Sequence, residues 1–390
     1  MRHIDAEERR ARLAQRHLLL PRTRTDDVAA IADALVALHS SDPVTVYLSA
    51  AARMANPSLE AVDQALYVDR SLIRHHGMRR TLWVATPPVV RRMHAAATVA
   101  LLEPERRRTA QLLASSGVAD PGAWLAEAEA QVLADLREHG PSTARDVGIR
   151  LPAVRQPLQL APGKKYASIQ GAHTRVLYLL GFAGHMLRTR PSSWISGAYS
   201  YAAADTWLPG GLGTADVRTS AAELAGHWLR RFGPATTADL QWWMGWTMAT
   251  TRKALTDCGA VAAEIDAGPA WLSPDDHDQP MPEPWVAVLP GLDPTTMGWK
   301  QRDWYLPPTA VESFDSNGNG GPTIWVDGRI VGVWAQTRDG EINTHYFERV
   351  AASRRREVDL RIAEVKRIVG DTRFTVRFPA EIHNRLAAGG

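Results

Sequence analysis

Leu136-Arg137-Glu138-His139-Gly140-Pro141-Ser142-Thr143-Ala144-Arg145-Asp146-Val147 returns later in the chain as Leu229-Arg230-Arg231-Phe232-Gly233-Pro234-Ala235-Thr236-Thr237-Ala238-Asp239-Leu240. The two copies agree at Leu, Arg, Gly, Pro, Thr and Asp in one spacing, the mark of a repeated supersecondary unit. Each follows an amphipathic run, 122–138 in one case and 220–231 in the other. Gly140 and Gly233 stand where a left-handed residue ends a helix, and the proline after each blocks its continuation. Ser142 or Thr143, and Thr236 or Thr237, are then placed to cap a short second helix. Helix, tight turn, short helix is the opening half of a helix-turn-helix.

Working outward, 247–259 has helical spacing and carries Arg252 and Lys253. Two short strands, 260–265 and 269–272, follow around Asp266-Ala267-Gly268, completing a three-helix core with a hairpin, or winged helix. In the earlier copy the third helix is expected at 173–182, after a Pro/Gly/Lys-bearing stretch at 151–170. Its wing is expected at 185–189 and 194–201, with Arg188 and Arg190 upon it. The first hundred residues read as a more divergent unit, with helices at 5–17, 26–38, 44–54 and 58–69. Strands 72–76 and 80–85 pair through Gly77-Met78-Arg79, and a long helix runs from 87 to 114. Beyond 280 the texture changes to strands at 285–289, 323–326, 329–336 and 341–347, with Asp327-Gly328 and Asp339-Gly340 as turns. A basic helix at 348–369 and a last strand at 373–378 complete this part. The expected fold class is therefore α+β, with three tandem winged-helix units at 1–118, 119–212 and 213–280. A β-rich, barrel-like α+β unit at 281–390 follows them.

Composition narrows the function. No run of eighteen apolar residues exists to cross a membrane, and the charged N-terminus has no apolar core to follow it, so no secretory signal is expected. A lone Cys258 excludes an internal disulfide framework. These points favour the cytoplasm. Of the 45 basic residues only Lys164, Lys165, Lys253, Lys300 and Lys366 are lysine. Guanidinium-rich surfaces suit phosphate, although a GC-rich genome produces the same bias.

Three segments in fixed order carry a resemblance: Gly77-Met78-Arg79-Arg80-Thr81-Leu82, His173-Thr174-Arg175-Val176-Leu177, and Leu289-Pro290-Gly291-Leu292-Asp293-Pro294. With three winged helices and a β-rich end, the chain resembles the tandem winged-helix alkylpurine DNA glycosylases of the AlkZ and YcaQ type. The resemblance implies a monomer that cradles damaged duplex DNA and hydrolyses the bond between an alkylated purine and deoxyribose, without a cofactor. It also implies, as in several actinobacterial relatives, a role in self-resistance to genotoxic alkylating metabolites.

Family members carry Gln-x-Gln or Gln-x-Asp after the second helix; here the run is Ala37-Leu38-His39-Ser40-Ser41-Asp42-Pro43. The resemblance thus points to His39, Ser41 and Asp42 as candidate catalytic residues. An N7- or N3-alkylated purine is already cationic, so the barrier lies in forming an oxocarbenium-like sugar and delivering water to it. A carboxylate stabilises that cation by analogy with glycoside hydrolysis, and a neutral histidine can position the water and accept its proton. Against this, Asp-Pro before an apolar run is how a helix commonly begins. Arg79, Arg80 and Thr81 are candidate DNA contacts near the pocket, with Arg188, Arg190, Arg252 and Lys253 elsewhere. Trp83 reads as core, and Arg106-Arg107-Arg108 as a solvated helix face. Trp299, Arg302 and Trp304 could reach DNA, but nothing in the sequence assigns them contacts. His75 and His76 lack zinc-type spacing, and 315–322 resembles a calcium loop only superficially. A bifunctional lyase needs an amine nucleophile; no lysine precedes Lys164, so a monofunctional glycosylase is expected. The competing readings are a non-catalytic DNA-binding protein, either regulator or lesion-binding shield, and a protein-interaction scaffold.

Overall fold

The computed structural model describes residues 2–160 and 167–389. Lys164 and Lys165, within the stretch expected to delay the second unit's third helix, lie outside the described residues.

The chain opens with a two-residue strand β1 (His3–Ile4) and helix α1 (Ala6–Arg16), whose N-cap Asp5 accepts from Glu8 N. Helix α2 (Val28–Ala34) is shorter than its sequence pattern, because the chain turns at Val36 into strand β2 (Leu38–His39). Next come α3 (Pro43–Ala51), α4 (Leu59–Tyr67) and the antiparallel pair β3 (Ile73–His76) and β4 (Leu82–Ala85). The long helix expected at 87–114 is interrupted. It consists of α5 (Pro87–Met93), a π turn at His94–Thr98, a 3₁₀ turn at Val99–Leu101 and α6 (Leu102–Ser115). Thr98 Oγ1 donates to His76 O across 2.8 Å and also faces Met93 O, wedging the turn open.

The second stretch runs α7 (Pro121–His139), β5 (Ser142–Thr143), α8 (Ala144–Arg150), β6 (Pro157–Leu160), β7 (Ser168–Gly171), α9 (His173–Phe182), β8 (Met186–Pro191), β9 (Tyr199–Ala203) and α10 (Ala204–Trp207). The third runs α11 (Val217–Phe232), α12 (Thr237–Met244), α13 (Met248–Asp257), β10 (Val261–Ile265) and β11 (Gly268–Leu272). The repeated motif behaves alike in both. Thr143 with Asp146, and Thr236 with Asp239, form reciprocal capping boxes at the start of the short helix. Its glycines differ. Gly140 has φ of +70°, but Gly233 has φ of −71° and does not take the left-handed form expected of it. Gly233 is needed for space instead, since a Cβ there would fall 2.5 Å from Leu229 O.

The hairpins are not separate wings. Those of the first two units merge into one six-stranded sheet in the order β2-β4-β3-β8-β9-β5, joined where Arg74 pairs with Arg188. The third hairpin receives β1 as a parallel neighbour of β10. In the C-terminal part, β12 (Val286–Leu289), β13 (Thr323–Val326), β14 (Arg329–Gln336) and β15 (Ile342–Tyr346) form an antiparallel sheet, followed by α14 (Ala352–Val369) and α15 (Glu381–Ala387). This sheet is open, so the expected barrel is corrected to a four-stranded meander. The last strand expected at 373–378 is absent, because both edges of β14 are already paired by β13 and β15. That segment instead bonds a side chain: Phe374 N donates to Gln336 Oε1 and Gln336 Nε2 to Thr372 O.

One core cluster runs from Leu13 to Ile330 and draws on all four parts, the second through β8, β9 and α10, whereas α7–α9 enclose a further core with Leu113 of α6. Arg53 ties the first part to the C-terminal one. It is fully buried, donates from both terminal nitrogens to Asp293 at 2.9 Å, and also reaches Thr295 Oγ1 and His17 O. Such a pair holds position more than it adds stability. Here it anchors α3, the helix that begins at the His-Ser-Ser-Asp run.

Candidate active site

Strand β2 places His39 opposite Trp83 on β4, with the two rings edge to face at 4.7 Å. Trp83 is itself core, packed on Trp243 and donating to Met78 O. His39 is buried, and burial together with the Arg79 charge holds its pKa down to about 3, so the ring is neutral at physiological pH. Ser41 N donates to His39 Nδ1 at 3.4 Å, a long bond that places the ring's proton on Nε2. That nitrogen has no partner among the described residues and is not sealed from solvent. With Nδ1 accepting from Ser41 N, the free Nε2 edge of His39 is a hydrogen-bond donor.

Alternation along β2 sends Ser40 the other way, where its hydroxyl accepts from buried Arg74 at 2.8 Å. Asp42 is the N-cap of α3, as its Asp-Pro context predicts, accepting from Val44 N through Oδ1 at 3.2 Å. Its Oδ2 accepts from Arg377 N at 3.1 Å, and Arg377 reaches Ser41 O. Burial raises the Asp42 carboxyl above the usual carboxylate range. His39 and Ser41 thus touch, while Asp42 lies beside them without a hydrogen bond to either side chain.

Arg79 sits near His39 on a turn where it and Arg80 both have positive φ, +55° and +62°. Two consecutive left-handed non-glycine residues are strained. The turn is held by Thr81, whose Oγ1 donates to Met78 O, and by Gly245, whose missing side chain leaves room for the Arg79 backbone. The Arg79 guanidinium lies 4.2 Å from the ring centre of half-buried Trp242 on α12, and Arg302 lies 5.2 Å from the same ring. Trp242 went unremarked in the sequence, and Arg302 carried no assignment there, because residues 79, 242 and 302 meet only through the fold.

The chain matches the model of the AlkZ-like DNA glycosylase family over residues 32–368. It belongs to the AlkZ-like DNA glycosylases. No curated protein sequence matches it. Among solved structures, the Streptomyces sahachiroi DNA glycosylase AlkZ superposes with a TM-score of 0.74 at 21% identity, covering 97% of this chain and 100% of that one. At that identity the likeness speaks for the fold. In this AlkZ-like chain the matched region includes the His39–Asp42 run, the Arg79 turn, Trp242 and Arg302.

The other predicted DNA contacts fare unequally. Arg190 is paired with Asp63 at 2.6 Å and stacked on Tyr67, and Arg188 lies against His76, Tyr199 and Tyr201 inside the shared sheet. Arg188 is half-buried in the shared sheet, whereas Arg190 remains exposed in its pair with Asp63. Arg80 is exposed but leans on Glu105. Arg252 is exposed on α13, and neighbouring Lys253 lies 3.7 Å from Asp257. Trp299 and Trp304 are buried in the core. Lys300 is exposed, and its backbone meets α12. Its backbone N donates to Asp239 Oδ1, three residues before Trp242. Among the described residues no three His, Cys, Asp or Glu side chains converge as a metal would require, and no helix is long and apolar enough to cross a membrane.

Proposed function

We propose that the chain is a monofunctional DNA N-glycosylase acting on N7- or N3-alkylated or bulky purine adducts in duplex DNA. The observation that carries this is a neutral histidine at the family's motif position, with its free N–H edge beside Arg79. As the C1′–N9 bond breaks, its electron pair returns to the cationic purine, whose acceptor atoms become more basic. A fixed donor such as His39 Nε2–H stabilises that change. Water forms the new C1′–O bond, oriented by the Ser41 hydroxyl. Asp42 supplies negative field to the oxocarbenium-like sugar and accepts the water's proton, a role its raised pKa suits.

The units 1–118, 119–212 and 213–280 are read as three winged helices forming the DNA cradle, with 281–390 closing it. The protein is read as a cytoplasmic, nucleoid-associated monomer that needs no cofactor or obligate protein partner. Its role is protection against the chain's own organism's alkylating metabolites. A second reading, the lesion-binding shield, is favoured by one observation: each Asp42 oxygen is already engaged by a backbone N–H.

Incubation with duplex DNA carrying 7-methylguanine, and separately a bulky N7-guanine adduct, followed by scoring of alkali-sensitive abasic sites, tests both. The glycosylase reading expects excision that falls about 10²-fold in His39→Ala, the cost of removing one preorganised donor, and falls in Asp42→Asn. Binding without excision by the unaltered protein would establish the shield. Borohydride trapping of a covalent DNA adduct, abolished in Lys300→Arg, would overturn monofunctional chemistry.

A further inference from the structure

Arg79 and Arg302 approach one indole, that of Trp242, and neither has an ion-pair partner among the described residues. Elsewhere the chain pairs its arginines readily, as Arg12 with Asp276, Arg150 with Asp135 and Arg218 with Asp257 show. Arg79 has no hydrogen-bond or ion-pair partner among the described residues. Its Nε is sealed, while its terminal nitrogens are neither bonded nor enclosed. Arg302 is held from behind. Its Nε donates to Trp299 O at 3.1 Å, its Nη1 faces Gly318 O at 3.5 Å, and its guanidinium lies 4.3 Å from the Phe314 ring, so that Nη2 alone has no hydrogen bond among the described residues. Both guanidinium groups lie within cation–π reach of Trp242, an attraction that favours keeping them at this ring. Arg79, Trp242 and Arg302 come from three different parts of the chain.

We propose that Arg79 and Arg302 form a two-armed clamp, spaced by Trp242, that holds a single backbone phosphate of the DNA strand next to the His39 edge. The proposal rests on the glycosylase reading for its ligand and adds to it a role for the C-terminal part. A phosphodiester is the chemistry that fits: an anion with two outward acceptor oxygens, matched to donors on either arm. It also supplies the counter-charge that the pair lacks. The cluster's burial and mutual repulsion, which lower the Arg79 pKa to about 10, are the cost of keeping the arms ready before DNA arrives. Closure by Arg302 would bring the C-terminal part against the same strand that the first part engages, so that one phosphate registers the reacting nucleotide against His39.

The test is the salt dependence of binding to duplex DNA containing one 7-methylguanine, read by fluorescence anisotropy with the full chain. Loss of one neutralised phosphate lowers the slope of log K against log salt by about 0.9. Arg79→Gln and Arg302→Gln are each expected to lower it by that amount, and the double variant by no more than either alone, because one phosphate is shared. A single methylphosphonate at the held position should weaken the unaltered protein and leave Arg302→Gln indifferent. Unchanged slopes in variants that melt like the parent would overturn the clamp, and additive losses would overturn the shared phosphate. Trp242→Phe, which preserves a stacking face, should retain the slope where Trp242→Ala loses it. Excision with an unaltered Arg302→Gln slope would sink the clamp and spare the glycosylase, whereas a salt-dependent clamp without excision would do the reverse.

Discussion

At the scale of single residues, Asp42 separates two roles that sequence superimposed. As N-cap of α3 it satisfies Val44 N, and through Oδ2 it holds the segment containing Arg377 over the turn. Removing the cap oxygen altogether, in Asp42→Ala, is expected to lower stability by about 1 kcal/mol, measured by urea melts. Asp42→Asn keeps one acceptor oxygen and should melt much closer to the parent. An excision defect in Asp42→Asn without that stability loss therefore belongs to chemistry. A family resemblance pointed to His39 in the sequence, but its protonation was not legible there. The donor edge at Nε2 follows from Ser41 N bonding Nδ1 and from burial against Trp83, which involve the β2 turn and a partner strand.

At the scale of elements, the shared six-stranded sheet carries an acid-sensitive seam. His75 and His76 on β3 are buried beside Arg188, and His75 Nε2 lies 3.1 Å from His94 Nδ1 in the π turn. Burial first, then neighbouring His94 and Arg188 for His75, and Arg188 and His75 for His76, hold these rings well below the ordinary histidine range; His94 is held to about 4. The unfolded chain binds protons at its ordinary histidine pKa of about 6.5 while the folded one does not, so stability is full above that value. It is expected to fall as pH drops from about 6.5 toward 4. Thermal melts at pH 7.5 and 5 should show this, and His94→Gln should reduce the loss; a pH-independent melting temperature would refute it. The seam was invisible in sequence, since a wing expected in solvent became an inner strand. The helices around it were legible from their capping residues and apolar period, and α9 falls at the 173–182 expected for it.

At the scale of the whole molecule, cores and units do not coincide. The first, third and C-terminal parts, with β8–α10 of the second, share one continuous core fastened by Arg53–Asp293, while α7–α9 pack around a second core. Amide exchange is expected to show one cooperative block that includes α3, α11 and β13, with α7 and α9 opening separately and more readily. Equal protection throughout would contradict that division. Breaking the buried anchor by Arg53→Met leaves Asp293 charged and unpaired, a change expected to cost roughly 3–5 kcal/mol. Urea denaturation measures it, and the loss should appear in the large block.

The sequence by itself determined most helices, most hairpins and the repeat, because caps, turn residues and apolar periods act over a few neighbouring positions. Tertiary structure alone decided that two hairpins would fuse into one sheet, that the C-terminal strands would stay open, and that Arg188 and Arg190 would find partners within the chain. It also decided that Arg79, Trp242 and Arg302 would meet. Those outcomes depend on which edges find partners and which charges find counter-ions, and both are settled between residues far apart in the chain.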